Sequence, residues 1–451
     1  MAFLITSAGS VTNGTTGGDL FTAQSGAVAN STINGLAGAD TISLEQGGTA
    51  TNLDIDAAGG IDKIVISGAT ISAGSILGGA GGDTLTLSTV VVAASTDLKT
   101  GDGDDTLTMS ATSFKSSQLY FGGGSDTAQI RAVDFTDSLI GFGAGADEVT
   151  ASTITTNSAT ILGGGGADKM TISGTGNSHL LINMDSSVNG GGADTLTFED
   201  DLGADSTIKG KGGKDVLTVS GVSVSSQVLG NAGADNITVG GTMAGTALVG
   251  GGSGNDSITL SNTLAAGSTV QGGGGADSID FGGDADAAAY VYGGNGADTL
   301  KLNDAFSSNE GKVGYAAFTE STIGGYDQID NAATVSGIDF KFDNQTTFVT
   351  AEAVKDTSKD LDATVTDGTF VNADFGTAGL TARVGVLDAT VTTQGSVAIF
   401  EGSTGDYFMF IQGGTTGTSD DFVADIHDTI TGVAGGLTLG DNTVDIIYAN
   451  N

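Results

Sequence analysis

Gly272-Gly-Gly-Gly-Ala-Asp277-Ser-Ile-Asp-Phe281 is the stretch from which the fold is read: a glycine-rich turn closes on an aspartate, and a short alternating strand leaves it. Close variants stand at residues 78–83, 163–168, 251–256 and 293–298. Aligned on the closing aspartate, the chain reads Asp19, Asp40, Asp62, Asp83, Asp105, Asp126, Asp147, Asp168, Asp194, Asp215, Asp235, Asp256, Asp277 and Asp298. Successive gaps are 20 to 22 residues, except for 26 between Asp168 and Asp194. Fixed self-similarity at such a period is the signature of a solenoid. The long gap predicts a bulged loop of five extra residues near 177–185.

The columns of this alignment carry the physics. Two residues before every aspartate stands glycine: Gly17, Gly38, Gly60, Gly81, Gly103, Gly124, Gly145, Gly166, Gly192, Gly213, Gly233, Gly254, Gly275 and Gly296. An invariant glycine marks a positive φ or a backbone too crowded for Cβ. Two and four residues after the aspartate the side chain is apolar, as in Ile42 and Leu44 or Leu85 and Leu87, with Thr and Ser between them. That is period two, one face inward and one outward. A further apolar column seven residues before the aspartate (Ile33, Ile76, Leu98, Leu119, Val249, Val270) marks a second strand entering the turn. Each unit therefore reads strand, plain turn, strand, glycine turn. The predicted fold is all-β, a parallel β-solenoid of about 21 residues per coil and about 14 coils over residues 14–302. Residues 1–13 are read as an N-terminal capping or exchange strand, and 303–451 as a β-rich C-terminal domain with a secretion or assembly role.

Composition agrees with a continuous ladder. The 451 residues include 77 glycines and no proline. Proline deletes a backbone donor and is excluded from central strands. With 53 acidic against 14 basic residues the formal net charge is −39. Phosphate backbones would be repelled, so nucleic acid is excluded as a partner and cations are favoured. There is no cysteine, hence no disulfide framework and no thiolate zinc site. No apolar run approaches a membrane span. The first residues, Met1-Ala-Phe-Leu-Ile-Thr-Ser, lack the features of a secretory leader.

One turn supplies one carboxylate and several carbonyls. Stacked turns therefore line each gap between coils with oxygen. Hard cations, calcium above all, take six to eight oxygens at roughly 2.3–2.6 Å. The turns hold no histidine or cysteine, which argues against zinc and copper. An in-register column of carboxylates about 5 Å apart repels itself unless neutralised. The competing reading is a tight turn in which Asp caps backbone amides. Asparagine would do that without the charge.

The motif Gly-Gly-x-Gly-x-Asp-x-apolar-x resembles the calcium-binding nonapeptide of the repeats-in-toxin (RTX) proteins. Gly251-Gly-Ser-Gly-Asn-Asp-Ser-Ile-Thr259 and Gly293-Gly-Asn-Gly-Ala-Asp-Thr-Leu-Lys301 fit it position by position. The resemblance implies a parallel β-roll binding several Ca2+ ions. The metal sites are then Asp83, Asp105, Asp126, Asp147, Asp168, Asp194, Asp235, Asp256, Asp277 and Asp298 with the glycines two before each. Weaker sites are expected at Asp19, Asp40, Asp62 and Asp215, where the turns are degraded or, at Asp215, Lys211 and Lys214 intrude. Asp102 and Asp104 add charge at the Asp105 turn. The family roll repeats every eighteen residues with motifs on both edges. Here the period is near 21 and one edge qualifies, so one calcium column is expected. Type I secretion and folding on meeting outside calcium would follow for the family.

Beyond Asp298 the period dissolves. Alternation in residues 381–391 and 396–400 reads as strands, Gly402 to Gly413 as a hairpin turn and strand, and 351–360 as a short helix. The segments beginning at Asp406, Asp420 and Leu437 resemble the C-terminal region of RTX surface-layer and adhesin proteins. His179 and His427 are the only histidines and stand far apart, and no catalytic motif appears, so no enzyme is expected. Two functions compete. One is a secreted structural protein that self-assembles, as a homo-oligomer or polymer, into an extracellular layer or filament. The other is an adhesin or carbohydrate-binding module, with a cell-surface polysaccharide as partner and a calcium-stiffened stalk.

Overall fold

The computed structural model is a parallel β-solenoid. It describes residues 1–302 apart from 24–27, 46–47, 94, 187–190, 284 and 287–288. Beyond these it describes 312–315, 317, 320–330, 337–342, 349–350, 355–356, 361–362, 369–370, 378–391, 393–402, 406–414, 417–426, 437–439 and 443–447. The chain divides into two units, Met1–Ala232 and Gly233–Asn451.

In the first unit the strands that leave the aspartates stack in parallel register one coil apart. Thr84–Ser88 lies on Thr106–Ser110 with Leu85 against Leu107 and Leu87 against Met109, all four buried. Threonine and serine between them keep a β-branched or small polar side chain on the outer face, where it suits a half-solvated strand. The strands entering the turn form a second sheet, Ser75–Ala80 on Asp97–Asp102, with Ile76 and Leu98 inward. A third side was not expected. Gly48–Thr51, Ala69–Ser72, Val91–Val92 and Ser113–Phe114 form a short sheet of their own. It sends Ala50, Ile71, Val92 and Phe114 into the core. A 21-residue coil thus has three walls where two were read. The extra wall turns the plain connection into a core-bearing one.

The register also moves the insertion. Thr160 still pairs with Leu181 and Gly164 with Asp185, whereas Lys169 pairs with Thr195. The five extra residues therefore fall between Asp185 and Thr195, not at 177–185.

In the second unit the same stacking runs through Ser257–Leu260, Ser278–Phe281 and Thr299–Leu302, and goes on past the 303 boundary to Asp327–Asp330. Asp327 and Gln328 then pair in parallel with Ala424 and Asp425. Phe422–Asp425, Tyr407–Ile411 and Ser396–Glu401 continue as antiparallel strands. The two strands read at 396–400 and after Asp406 are therefore present. Residues 381–391 are a helix instead, Leu380–Thr390. Their alternation also contains Leu380, Val384, Leu387 and Val391, which satisfies a 3.6-residue period. The last three are buried against Ala398, Phe400, Phe408 and Phe410. Of the helix read at 351–360, Lys355–Asp356 is a strand paired with Leu361–Asp362, and the rest lies outside the described residues.

Candidate metal centre

Each glycine turn is shaped by its neighbour one coil away. Gly81 has φ +125°, and a Cβ there would run into the carbonyl oxygen of Gly60. Twelve of the fourteen glycines of this column have φ between +111° and +145°; Gly17 and Gly192 do not. The crowding lets the Gly81 amide donate to the Asp102 carbonyl of the next coil at 2.7 Å. It also brings the closing aspartates into line.

The aspartates form a hydrogen-bonded ladder. In the first unit the amide of each aspartate from Asp19 to Asp194 donates to Oδ1 of the next, at 2.7–3.0 Å. In the second unit the amides of Asp235, Asp256, Asp277 and Asp298 donate in the same way, the last to Asp327, at 2.8–3.0 Å. The Asp327 amide donates to Ser321 Oγ, which ends the ladder with a hydroxyl. All these side chains are 0–4% exposed.

One carboxylate oxygen is thus spoken for, and the other is not. Oδ2 of Asp40, Asp62, Asp83, Asp126, Asp147, Asp168, Asp194, Asp256, Asp277 and Asp298 is buried and receives no hydrogen bond. From Asp40 to Asp168 no cationic group among the described residues lies within ion-pair distance. Asp19 differs: the Met1 ammonium meets its Oδ1, and the Thr15 amide and hydroxyl its Oδ2. The ammonium hydrogen bond, first among several, holds the Asp19 carboxyl below its ordinary value. Burial, reinforced by neighbouring carboxylates, pushes Asp40, Asp62 and Asp105 up, and the following carboxyls further. Asp83, Asp126, Asp168, Asp256, Asp277 and Asp298 reach about 6, Asp147 and Asp194 about 7. Asp327 reaches about 8, with burial again the main cause.

The orphaned oxygens point at a second glycine, five residues before the aspartate. A Cβ on Gly272 would crowd both Asp277 Oδ2 and the Gly293 carbonyl oxygen, each under 3.0 Å away. Gly35, Gly78, Gly163 and Gly251 stand in the same relation to the Oδ2 of Asp40, Asp83, Asp168 and Asp256 and to a carbonyl of the next coil. Two oxygens crowding one methyl position lie within reach of a single ion whose ligands stand at roughly 2.3–2.6 Å. No three carboxylates or imidazoles converge among the described residues. A cation here would take one carboxylate and fill its shell with carbonyl and water oxygens. The donor set, all oxygen with a buried unpartnered charge, fits a hard cation such as calcium.

The ladder brings the fourteen predicted aspartates into the two units in the register expected. Lys211 takes the place of a turn glycine, with φ +83°. Asp102 and Asp104 are exposed, and Asp104 Oδ1 accepts the Ser125 amide at 2.7 Å. Asp327 was missed because it lies 29 residues after Asp298. Gly325 two before it and Ile329 two after it carried the signal. Asp185 was missed as well; it is buried, with Oδ1 accepting the Gly192 amide at 3.1 Å. His179 is an exposed plain-turn residue 3.7 Å from Asp205, and His427 lies outside the described residues.

Fold and ladder together define a class: a parallel β-solenoid with a buried acidic ladder along one edge. No family model matches the chain, and no curated protein matches it. Among solved structures a hyperactive, Ca2+-dependent, β-helical antifreeze protein from an Antarctic bacterium is similar at 20% identity. The match covers 75% of this chain and 93% of that one, with a TM-score of 0.46. A likeness at that level carries nothing about ligand or function.

Proposed function

We propose that this chain is a secreted, non-enzymatic structural protein of RTX type whose solenoid is stiffened by calcium, and that it assembles into an extracellular layer or filament. The observation that carries the calcium reading is the row of buried Oδ2 atoms without a donor. Two ionised carboxylates about 5 Å apart repel by about 3 kcal/mol at an effective dielectric of about 20. A divalent ion between coils replaces that repulsion with attraction and supplies the missing partner. Because the ligands come together only when coils stack, binding and folding are one event. Millimolar outside calcium suits sites of the extracellular class, with Kd of about 10⁻⁴–10⁻³ M.

Assembly is supported by the N-terminal end of the solenoid. Ala2–Ile5 pairs in parallel with Leu20–Ala23 on one side. Its Leu4 is exposed, as are Val11, Leu36 and Ile61 in the first three coils. Among the described residues no strand pairs with the other side of Ala2–Ile5, and a strand edge flanked by apolar side chains is a template for another chain. An adhesin head would present exposed aromatics, whereas Phe408 and Phe410 are buried and Tyr407 is half-buried. That favours assembly over ligand display. Export by a type I route belongs to the same proposal. Among the described residues no helix is long and apolar enough to cross a membrane. Electron microscopy of purified protein in calcium is expected to show sheets or fibres, and deletion of residues 1–12 to leave folded monomers. Dispersed monomers from the intact chain, or polymers unaltered by the deletion, would overturn the assembly reading.

A further inference from the structure

The residue five before each ladder aspartate is not always glycine. Between Asp19 and Asp168 the exceptions are Ala57 for Asp62, Thr100 for Asp105, Phe121 for Asp126 and Phe142 for Asp147. All four are buried. The Phe121 and Phe142 rings stack at 4.8 Å between centroids, in the position where other coils present a bare Cα to the carboxylate. The Thr100 hydroxyl stands beside the Asp105 carboxylate and donates to the Phe121 carbonyl at 3.1 Å, the carbonyl that an ion at Asp105 would need. In the glycine coils, by contrast, Oδ2 and a carbonyl of the next coil both approach the bare Cα so closely that a methyl there would meet both.

We infer that calcium is bound at Asp40, Asp83, Asp168, Asp256 and Asp277, where glycine stands five before, Oδ2 receives no hydrogen bond and a carbonyl of the next coil lies beside it, and that Asp62, Asp105, Asp126 and Asp147 bind none. The first unit then carries a cation-free band with cation sites before and after it. The band replaces oxygen ligands by an aromatic stack. It holds its coils together by packing, and the flanking coils hold by charge. This rests on the calcium reading above and narrows it. The consequence is a segment whose stability does not depend on calcium, around which the calcium-dependent coils can order as the ion arrives.

The test is a count of bound calcium per intact chain, by equilibrium dialysis and atomic emission. Asp83→Asn, Asp168→Asn, Asp256→Asn and Asp277→Asn are each expected to lose about one ion, and Asp126→Asn and Asp147→Asn none. Gly272→Ala, which puts a methyl into the cradle, is expected to lose one ion as Asp277→Asn does. An anomalous-difference map of wild-type crystals grown in calcium needs no variant. It is expected to show peaks beside Oδ2 of Asp83, Asp168, Asp256 and Asp277 and none beside Asp126 or Asp147. Loss of an ion in Asp126→Asn or Asp147→Asn, or a peak at either, would overturn the inference and leave the calcium reading standing. Wild-type protein that binds no calcium would overturn both.

Discussion

On the plain edge of the first unit the chain turns on Asn30, Ser95, Ser116, His179 and Ser225, among others, with φ between +48° and +67°. On the acid edge it turns on glycines with φ between +111° and +145°. Both edges use a positive φ in most coils, yet only one needs glycine. The plain turns are left-handed α conformations, which L-residues enter at a cost of roughly 1–2 kcal/mol. They face solvent, where Asn30 and Asn52 bond side chain to side chain at 2.8 Å. The acid turns lie outside that basin and abut the backbone of the next coil. One edge tolerates variety because water completes its polar groups. The other closes over its carboxylates, and something other than water must complete them.

The comparison breaks most sharply at Gly81. Gly81→Ala places a Cβ against the Gly60 carbonyl oxygen. A loss of about 4 kcal/mol is expected from thermal or denaturant unfolding. Ser116→Gly on the plain edge is expected to stay within about 1 kcal/mol of wild type. Equal losses would mean the edges are built alike.

A second test is pH in excess chelator. Burial raises the ladder carboxyls from 3.8 to about 6 or 7, as at Asp83 and Asp147. A raised folded-state pKa means the protonated form is preferred in the folded chain. The stability it contributes is full below about pH 4 and lost as pH rises through 6–7. Without calcium, Tm is therefore expected to fall between about pH 4 and 7, by the ladder's own titration. With calcium the slope should reverse, because protons then compete with the ion. A flat chelator profile would mean that the carboxyls are not buried as a ladder.

A smaller effect separates charge from shape. Asp277→Asn keeps an Oδ1 acceptor for the Asp256 amide and removes one charge from the column. In chelator at pH 8 the variant is expected to be more stable than wild type by about 1–3 kcal/mol, and in calcium less stable. A variant less stable in both would assign the aspartate to turn-making alone.

Much of this was legible in the residues. The 21-residue spacing of aspartates and the glycine two before each gave the coil and the acid edge. Apolar pairs such as Ile279 and Phe281 gave the strand that leaves the turn. The third wall was harder to see, because Ile71, Val92 and Phe114 sit in two-residue to four-residue strands too short to show alternation. The helix Leu380–Thr390 was hidden because Val384 and Val386 fit a strand as well as Val384 and Leu387 fit a helix. The cradle was missed for a different reason. Glycine, threonine and phenylalanine at one column look like noise until the column is seen to face the carboxylate, and that direction is set by stacking.

Calorimetry of the intact chain at pH 8, with millimolar calcium and then with excess EGTA, tests the central claim most directly. Neutralisation of a buried carboxylate ladder by calcium predicts a Tm lowered by more than about 10 °C in EGTA, restored when calcium is returned in excess of the chelator. A Tm that does not move would show that the ladder stands without cations and that its aspartates are turn residues.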